Sequence, residues 1–283
     1  MRLLPVIAAV LVTACAACTG PATGTPPRSV EVGAGASGSV GAPEWVSVTD
    51  ADLGVNGADL PQHGLTPAAG IGIGYQVPDA TGTLRSKMCT LGPATDAGYV
   101  TAGHCGVGTA TTGTFLSPDR QGSVTQPFTA VTRAEDQVGD PYIDSALVPS
   151  ASVTARVGTM PVAGVLTVAA VQNLPPGTEV CFDGAKSGVS CGPVVSTDDA
   201  GELHFGAQVI AGDSGAPVFL VDGRARSVTL VGVLAADDDS DHTAYATYLD
   251  PALARLDARV LVNHAARAPQ GASGYSERVV DRP

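Results

Sequence analysis

Gly212-Asp213-Ser214-Gly215-Ala216-Pro217 leads straight into the apolar run Val218-Phe219-Leu220-Val221. A glycine-rich turn followed by aromatic and branched residues reads as a tight bend feeding a buried strand. The same residues suit acyl transfer. A glycine two positions before a serine lets the backbone N–H groups of Gly212 and Ser214 converge on one point, where they can stabilise charge developing on a carbonyl oxygen. A serine hydroxyl is a poor nucleophile near neutral pH, so it needs an imidazole to take its proton and return it to the leaving group. That imidazole needs a carboxylate on its other nitrogen, which fixes the tautomer and stabilises the cation.

Working outward, the stretch Thr101-Ala102-Gly103-His104-Cys105 offers His104 as the base, and Ile143-Asp144-Ser145-Ala146-Leu147-Val148 offers Asp144 as the carboxylate. Asp136 and Asp140 lie nearby, but only Asp144 leads into an apolar strand. The order along the chain is His, Asp, Ser. Esterases of the α/β-hydrolase type place the serine before the histidine, and Ala216 breaks their Gly-x-Ser-x-Gly elbow.

These segments resemble the chymotrypsin-like (trypsin-fold) serine peptidases over residues 70–262, and the cysteine pattern is most similar to that of the secreted actinobacterial, streptogrisin-like members. The hexapeptide differs from that family's Gly-Asp-Ser-Gly-Gly-Pro at Ala216 alone. The resemblance implies an all-β fold of two six-stranded antiparallel β-barrels with a short C-terminal helix. It implies His104, Asp144 and Ser214 as catalytic residues, and the N–H groups of Gly212 and Ser214 as the oxyanion hole. It also implies a Cys89–Cys105 bridge closing the histidine loop and a small loop closed by Cys181–Cys191.

Two departures matter. In the family, Asp213 is held by a buried cation that orders the oxyanion loop. The arginine that some bacterial members carry after the first cysteine of the small loop is Phe182 here, and Gly70-Ile71-Gly72-Ile73-Gly74 differs from the animal zymogen cleavage motif. The partner of Asp213 is therefore not identified by sequence. Trypsin-like members carry Asp six residues before the nucleophile, where this chain has Gln208, and Ala235-Ala236-Asp237 replaces a glycine-ended triplet. Gln208, Ala235 and Asp237 are the candidate pocket residues. The altered cleft keeps a second reading open, a protease-fold binding protein with weak or no turnover.

Composition agrees with an exported β protein. The chain has 283 residues, 44% hydrophobic but only 4% aromatic, with 35 glycines and 21 prolines. That profile favours short strands and tight turns over long helices. Fifteen Lys and Arg against 27 Asp and Glu give a net charge of −12, so no nucleic-acid partner is expected. From Ala69 onward, runs rich in Val, Ile, Leu and Thr recur between Gly, Pro, Asp and Ser. They are Ile71–Val77, Gly98–Ala102, Ser123–Val131, Ser145–Val148, Gly164–Val171, Gly192–Ser196, Ala216–Val221, Val228–Leu234 and Thr243–Tyr248. A late helix is expected from Asp250 as N-cap and Pro251 in the first turn, with Leu253, Leu256, Val260 and Leu261 on one face.

Residues 1–14 read as an export signal, with Arg2 ahead of the apolar Leu3–Val12, a stretch too short to span a membrane. Val12-Thr13-Ala14-Cys15 resembles a lipobox, in which Cys15 would carry lipid and tether the protein to a membrane; ordinary cleavage near Ala14–Ala17 is the alternative. Residues 15–44 form a flexible linker, 45–68 an N-terminal extension or short pro-segment, 69–264 the protease-like domain and 265–283 a frayed polar tail. Cys89, Cys105, Cys181 and Cys191 read as two local disulfides of an exported protein, since neither pair has the spacing of a zinc knuckle. The acidic run Asp237–Asp241 fails as an EF-hand, because His242 and Tyr248 occupy its sixth and twelfth positions. His63, His204, His242 and His264 receive no role. We expect no metal or cofactor, a protein or peptide substrate, and a monomer.

Overall fold

The computed structural model describes residues 43–55, 67–105, 113–116, 124–128, 133–135, 143–151, 153–198, 201–238 and 242–282. A short helix α1 (Asp50–Leu53) precedes strands β1 (Gly72–Pro78), β2 (Leu84–Thr90), β3 (Ala94–Thr95), β4 (Gly98–Thr101), β5 (Gly113–Leu116), β6 (Val124–Phe128), β7 (Arg133–Glu135) and β8 (Ser145–Pro149). Strands β9 (Arg156–Val157) and β10 (Met160–Val165) and helix α2 (Val168–Gln172) then lead to β11 (Glu179–Gly184), β12 (Gly188–Thr197), β13 (Glu202–Phe205), β14 (Pro217–Asp222), β15 (Ser227–Asp238) and β16 (Thr243–Tyr248). Helix α3 (Leu249–Leu256), β17 (Val260–Asn263) and β18 (Val279–Arg282) follow.

Strands β11 to β16 close on themselves in the order β11-β12-β13-β16-β15-β14, every neighbour antiparallel. Closure leaves no open sheet edge and encloses a core in which Phe182 meets Phe205 edge-on, their ring centroids 6.3 Å apart. Strand β13 shows the alternation that drives this: Leu203 and Phe205 are buried, while Glu202 and His204 on the other face are half-buried. The first half pairs as β2-β1-β5-β6 and as β3-β4-β8-β7, with Ile71, Ile73, Leu91 and Tyr99 among its core residues. The described residues thus form a mostly β architecture, with one closed six-stranded antiparallel barrel, two further sheets and few helices.

Three segments differ from expectation. The run Gly164–Val171 splits into the end of β10 and helix α2, because Thr167 caps the helix by accepting a hydrogen bond from Ala170 N. Helix α3 starts at Leu249, with Asp250 inside its first turn, and ends where Asp257 adopts a left-handed conformation (φ 50°). Val260 and Leu261 therefore lie not on the helix but on β17, which pairs with β3 and with β18. Residues 265–282 do not fray. Tyr275 bridges Leu166, Ser276 N donates to Val165 O at 2.8 Å, and β18 adds a parallel strand to β17.

The segment 43–55 also packs as part of the fold. Trp45 forms a bridge with Asp222, Val48 N lies 3.4 Å from Cys191 Sγ, Asp50 accepts a hydrogen bond from Val189 N at 2.7 Å, and Leu53 is fully buried. Further along, the Tyr99 hydroxyl donates to Pro67 O at 2.7 Å, and burial pushes that phenol up to about 12, which keeps the donor protonated. Cys15 and the rest of residues 1–42, with Asp136, Asp140 and His63, lie outside the described residues.

Candidate active site

Strands β4 and β8 run antiparallel, with Thr101 opposite Ala146, so the end of one lies beside the start of the other. The chain leaves β4 through a single 3-10 turn, Gly103–Cys105, that carries His104, and enters β8 directly after Asp144. Asp144 is fully buried. Its Oδ2 lies 2.6 Å from His104 Nδ1 and its Oδ1 accepts the His104 backbone N–H at 2.7 Å. Two bonds to one carboxylate fix both the ring orientation and the nitrogen that carries the proton, leaving Nε2 as the acceptor. The histidine side chain is 39% exposed, so it can be reached from solvent. Asp144 N in turn donates to Thr247 Oγ1 at 3.2 Å, tying the site to β16.

The bridge Cys89–Cys105 closes the loop behind His104, with an S–S distance of 2.04 Å. Both sulphurs sit close to the imidazole, but as a disulfide they offer no thiolate to a metal. Cys181–Cys191 links the directly opposed residues of β11 and β12. Asp198, Glu202 and His204 also cluster, a grouping not apparent from spacing. Internal hydrogen bonds engage them, from Glu202 N to Asp198 Oδ1 at 2.9 Å and between Glu202 and His204 at 3.3 Å.

Ser214 sits in the turn between β13 and β14. Gly212 and Gly215 there have φ of 115° and 92°, values that side chains with a Cβ rarely adopt. Backbone bonds hold the turn: Asp213 N to Ile210 O at 2.9 Å, Gly215 N to Leu234 O at 2.7 Å, and Ala216 N to Asp213 O at 2.9 Å. Among the described residues, the N–H groups of Gly212 and Ser214 have no acceptor within the protein. Two unengaged donors two residues apart in a fixed turn are what an incoming oxyanion requires. Thr90 anchors the turn from the first half of the fold. Its N–H donates to Ser214 O at 2.8 Å and its hydroxyl donates to Gly212 O at 2.9 Å.

The structure thus brings His104 and Asp144 into direct contact. Ser214 Oγ instead lies 3.5 Å from Ala235 O, and among the described residues no hydrogen bond joins it to His104. Hydroxyl–imidazole contacts of this type are commonly loose until substrate closes the site. Of the candidate pocket residues, Gln208 is exposed on the approach to the turn and Ala235 is buried beside Ser214, while the Asp237 side chain lies outside the described residues. Three further side chains stand at the site without a motif to mark them: Ile210, 46% exposed at the turn, and Met88 and Lys186, which flank Gly212. Met88 and Lys186 reach Gly212 from distant segments, and Ile210 lies in the turn but in no recognisable pattern, so no local sequence signal marks them.

The chain matches no family model and no curated protein. Solved structures with similar folds include Thermobifida fusca Protease A, with 16% identity over 69% of this chain and 98% of that one, at a TM-score of 0.45. Chymotrypsin from Cellulomonas bogoriensis has 21% identity over 69% of this chain and 98% of that one, at a TM-score of 0.42. The protease Anisep from Arthrobacter nicotinovorans has 20% identity over 65% and 91%, also at 0.42.

Proposed function

We propose that this chain is an exported serine endopeptidase related to the streptogrisin-like enzymes, hydrolysing peptide bonds through an acyl-enzyme on Ser214. The observation that carries this reading is the turn that holds the Gly212 and Ser214 N–H groups unengaged beside Ser214, on a fold that also pairs His104 with a buried carboxylate. His104 takes the Ser214 proton as the hydroxyl attacks the substrate carbonyl, and the two N–H groups receive the oxyanion. Asp144 stabilises the imidazolium, which then protonates the leaving amine. Water repeats the sequence on the acyl-enzyme and releases the second product. The substrate is a protein or peptide, and the chain acts as a monomer without a metal or organic cofactor.

A fluorophosphonate probe tests this directly. The purified protein is expected to take up one label, and Ser214→Ala to take up none. An unlabelled wild type, or equal labelling of the variant, would sink the reading. The second reading, a binding protein that has lost turnover, draws on the contact of Ser214 Oγ with Ala235 O instead of His104. It predicts no label and a folded protein that holds peptide without cleaving it.

The export signal read in the sequence and the two disulfides support a location outside the cytoplasm, with the chain tethered by lipid at Cys15 or released. Cells fed labelled palmitate are expected to mark the wild type and not Cys15→Ala. Label persisting in the variant removes the tether.

A further inference from the structure

We infer that Ser187 is a positioning residue that aims the oxyanion hole by holding Asp213 with its side-chain hydroxyl. The inference rests on the endopeptidase reading for its catalytic consequence and on geometry for everything else. Asp213 lies between Gly212 and Ser214 and is fully buried, so the bonds that hold its carboxylate also restrain the peptides on either side. A buried carboxylate must be compensated, and an opposite charge or several donors can do it.

Here the compensation comes as hydrogen bonds. Oδ1 accepts the consecutive N–H groups of Lys186 at 2.8 Å and Ser187 at 3.0 Å. Oδ2 accepts Ile210 N at 2.9 Å and the Ser187 hydroxyl. Successive backbone donors converging on one carboxylate oxygen form a small anion nest, and hydrogen bonds to a charged acceptor are stronger than neutral ones. Phe182, next to Cys181 on β11, is fully buried against Phe205 in the barrel core and brings no charge.

The turn that presents Ser187 is itself fixed from several sides. Gly184 pairs with Gly188 across the end of the β11–β12 hairpin, and Cys181 is bonded to Cys191 further along it. Ala185 N donates to Thr90 Oγ1 at 3.0 Å, and the same hydroxyl donates to Gly212 O at 2.9 Å. Hairpin, Asp213 and oxyanion turn therefore form one connected unit. Of the donors to Asp213 among the described residues, Ser187 Oγ is the one supplied by a side chain, so it can be removed without altering the backbone. Its loss leaves Oδ2 with Ile210 N alone, so the carboxylate is held less firmly and the Gly212 and Ser214 donors are aimed less narrowly.

The test compares Ser187→Ala, Ser187→Val and Ser187→Thr in the whole protein. Threonine keeps the hydroxyl, and valine keeps threonine's shape without it. For Ser187→Ala and Ser187→Val, kcat on a peptide amide is expected to fall on the order of ten- to a hundredfold, with KM changed less than about threefold. Ser187→Thr should stay within about threefold of wild type. Hydrogen exchange of the peptide spanning Gln208–Ala216 should quicken in the first two variants and not in the third. Unchanged kcat and exchange in Ser187→Ala would overturn the inference, as would equal behaviour of the valine and threonine variants. Unfolding of the alanine and valine variants with threonine intact would make the hydroxyl a fold element and also overturn it. If the wild type proves unreactive toward the probe, the endopeptidase reading falls, whereas exchange of the turn still tests Ser187 without turnover.

Discussion

Asp144→Asn is expected to lower kcat for amide hydrolysis by about four orders of magnitude while leaving the protein folded. Asparagine has the shape of aspartate, and its carbonyl oxygen can still accept one N–H. The two bonds to His104 cannot both survive unchanged. If the amide oxygen stays on the His104 backbone N–H, the NH2 group faces Nδ1, where a donor now stands instead of an acceptor. The ring must then place its proton on Nε2, the nitrogen that has to receive the serine proton. KM is expected to change little, because Asp144 is fully buried and touches no substrate. Steady-state kinetics on a peptide amide, with circular dichroism as a control on folding, checks the result. A folded variant within tenfold of wild type would show that His104 is not the base, or that Asp144 does not set its tautomer.

The parts of this site that were legible in the sequence are those with side-chain chemistry in a local pattern. His104 precedes a cysteine, Asp144 opens an apolar strand, and Ser214 lies between glycines. The strands Val218–Val221 and Val228–Leu234 were legible because both faces are buried, which leaves continuous apolar runs. The extent of the last helix was not. The spacing of Leu253, Leu256, Val260 and Leu261 fits one helical face, and the break comes from the left-handed Asp257 and from strand partners at Thr95 and Val279, far away in sequence. The residues beyond His264 look like a tail for a similar reason. They are held by a few long-range contacts, chiefly Tyr275 against Gly164 and Leu166, which leave no periodic trace. The partners of Asp213 were hidden most completely. Three are backbone N–H groups, which every residue but proline possesses, and the resemblance to the family directs attention to a cation in place of a hydroxyl.

Gly212→Ala is expected to cut kcat by about a hundred- to a thousandfold, the loss associated with one oxyanion donor, with a smaller effect on KM. At a φ of 115° an alanine is strained whatever space surrounds it. The added Cβ would stand 2.7 Å from Met88 Cε and 3.0 Å from Lys186 Cγ, both on flexible side chains that can move aside. Steric conflict is therefore the lesser problem, and the backbone relieves its strain by rotating the peptide that carries the Gly212 N–H. The Gly212 carbonyl is tied to Thr90 Oγ1 and Asp213 is tied to the β11–β12 turn, so the rotation falls on the N–H side, which has no acceptor among the described residues to resist it. Gly215→Ala makes the contrast. Its Cβ would collide with the Thr101 hydroxyl and with the Thr90 backbone oxygen, and that backbone belongs to the strand carrying the Cys89–Cys105 bridge. That variant should lose folded, soluble protein, whereas Gly212→Ala should fold, retain fluorophosphonate labelling at a reduced rate and fail mainly in turnover. Labelling rate, kcat and thermal midpoint measured together separate the two outcomes. A Gly212→Ala enzyme with unchanged kcat would remove the Gly212 N–H from the oxyanion hole and leave Ser214 N as the donor to be explained.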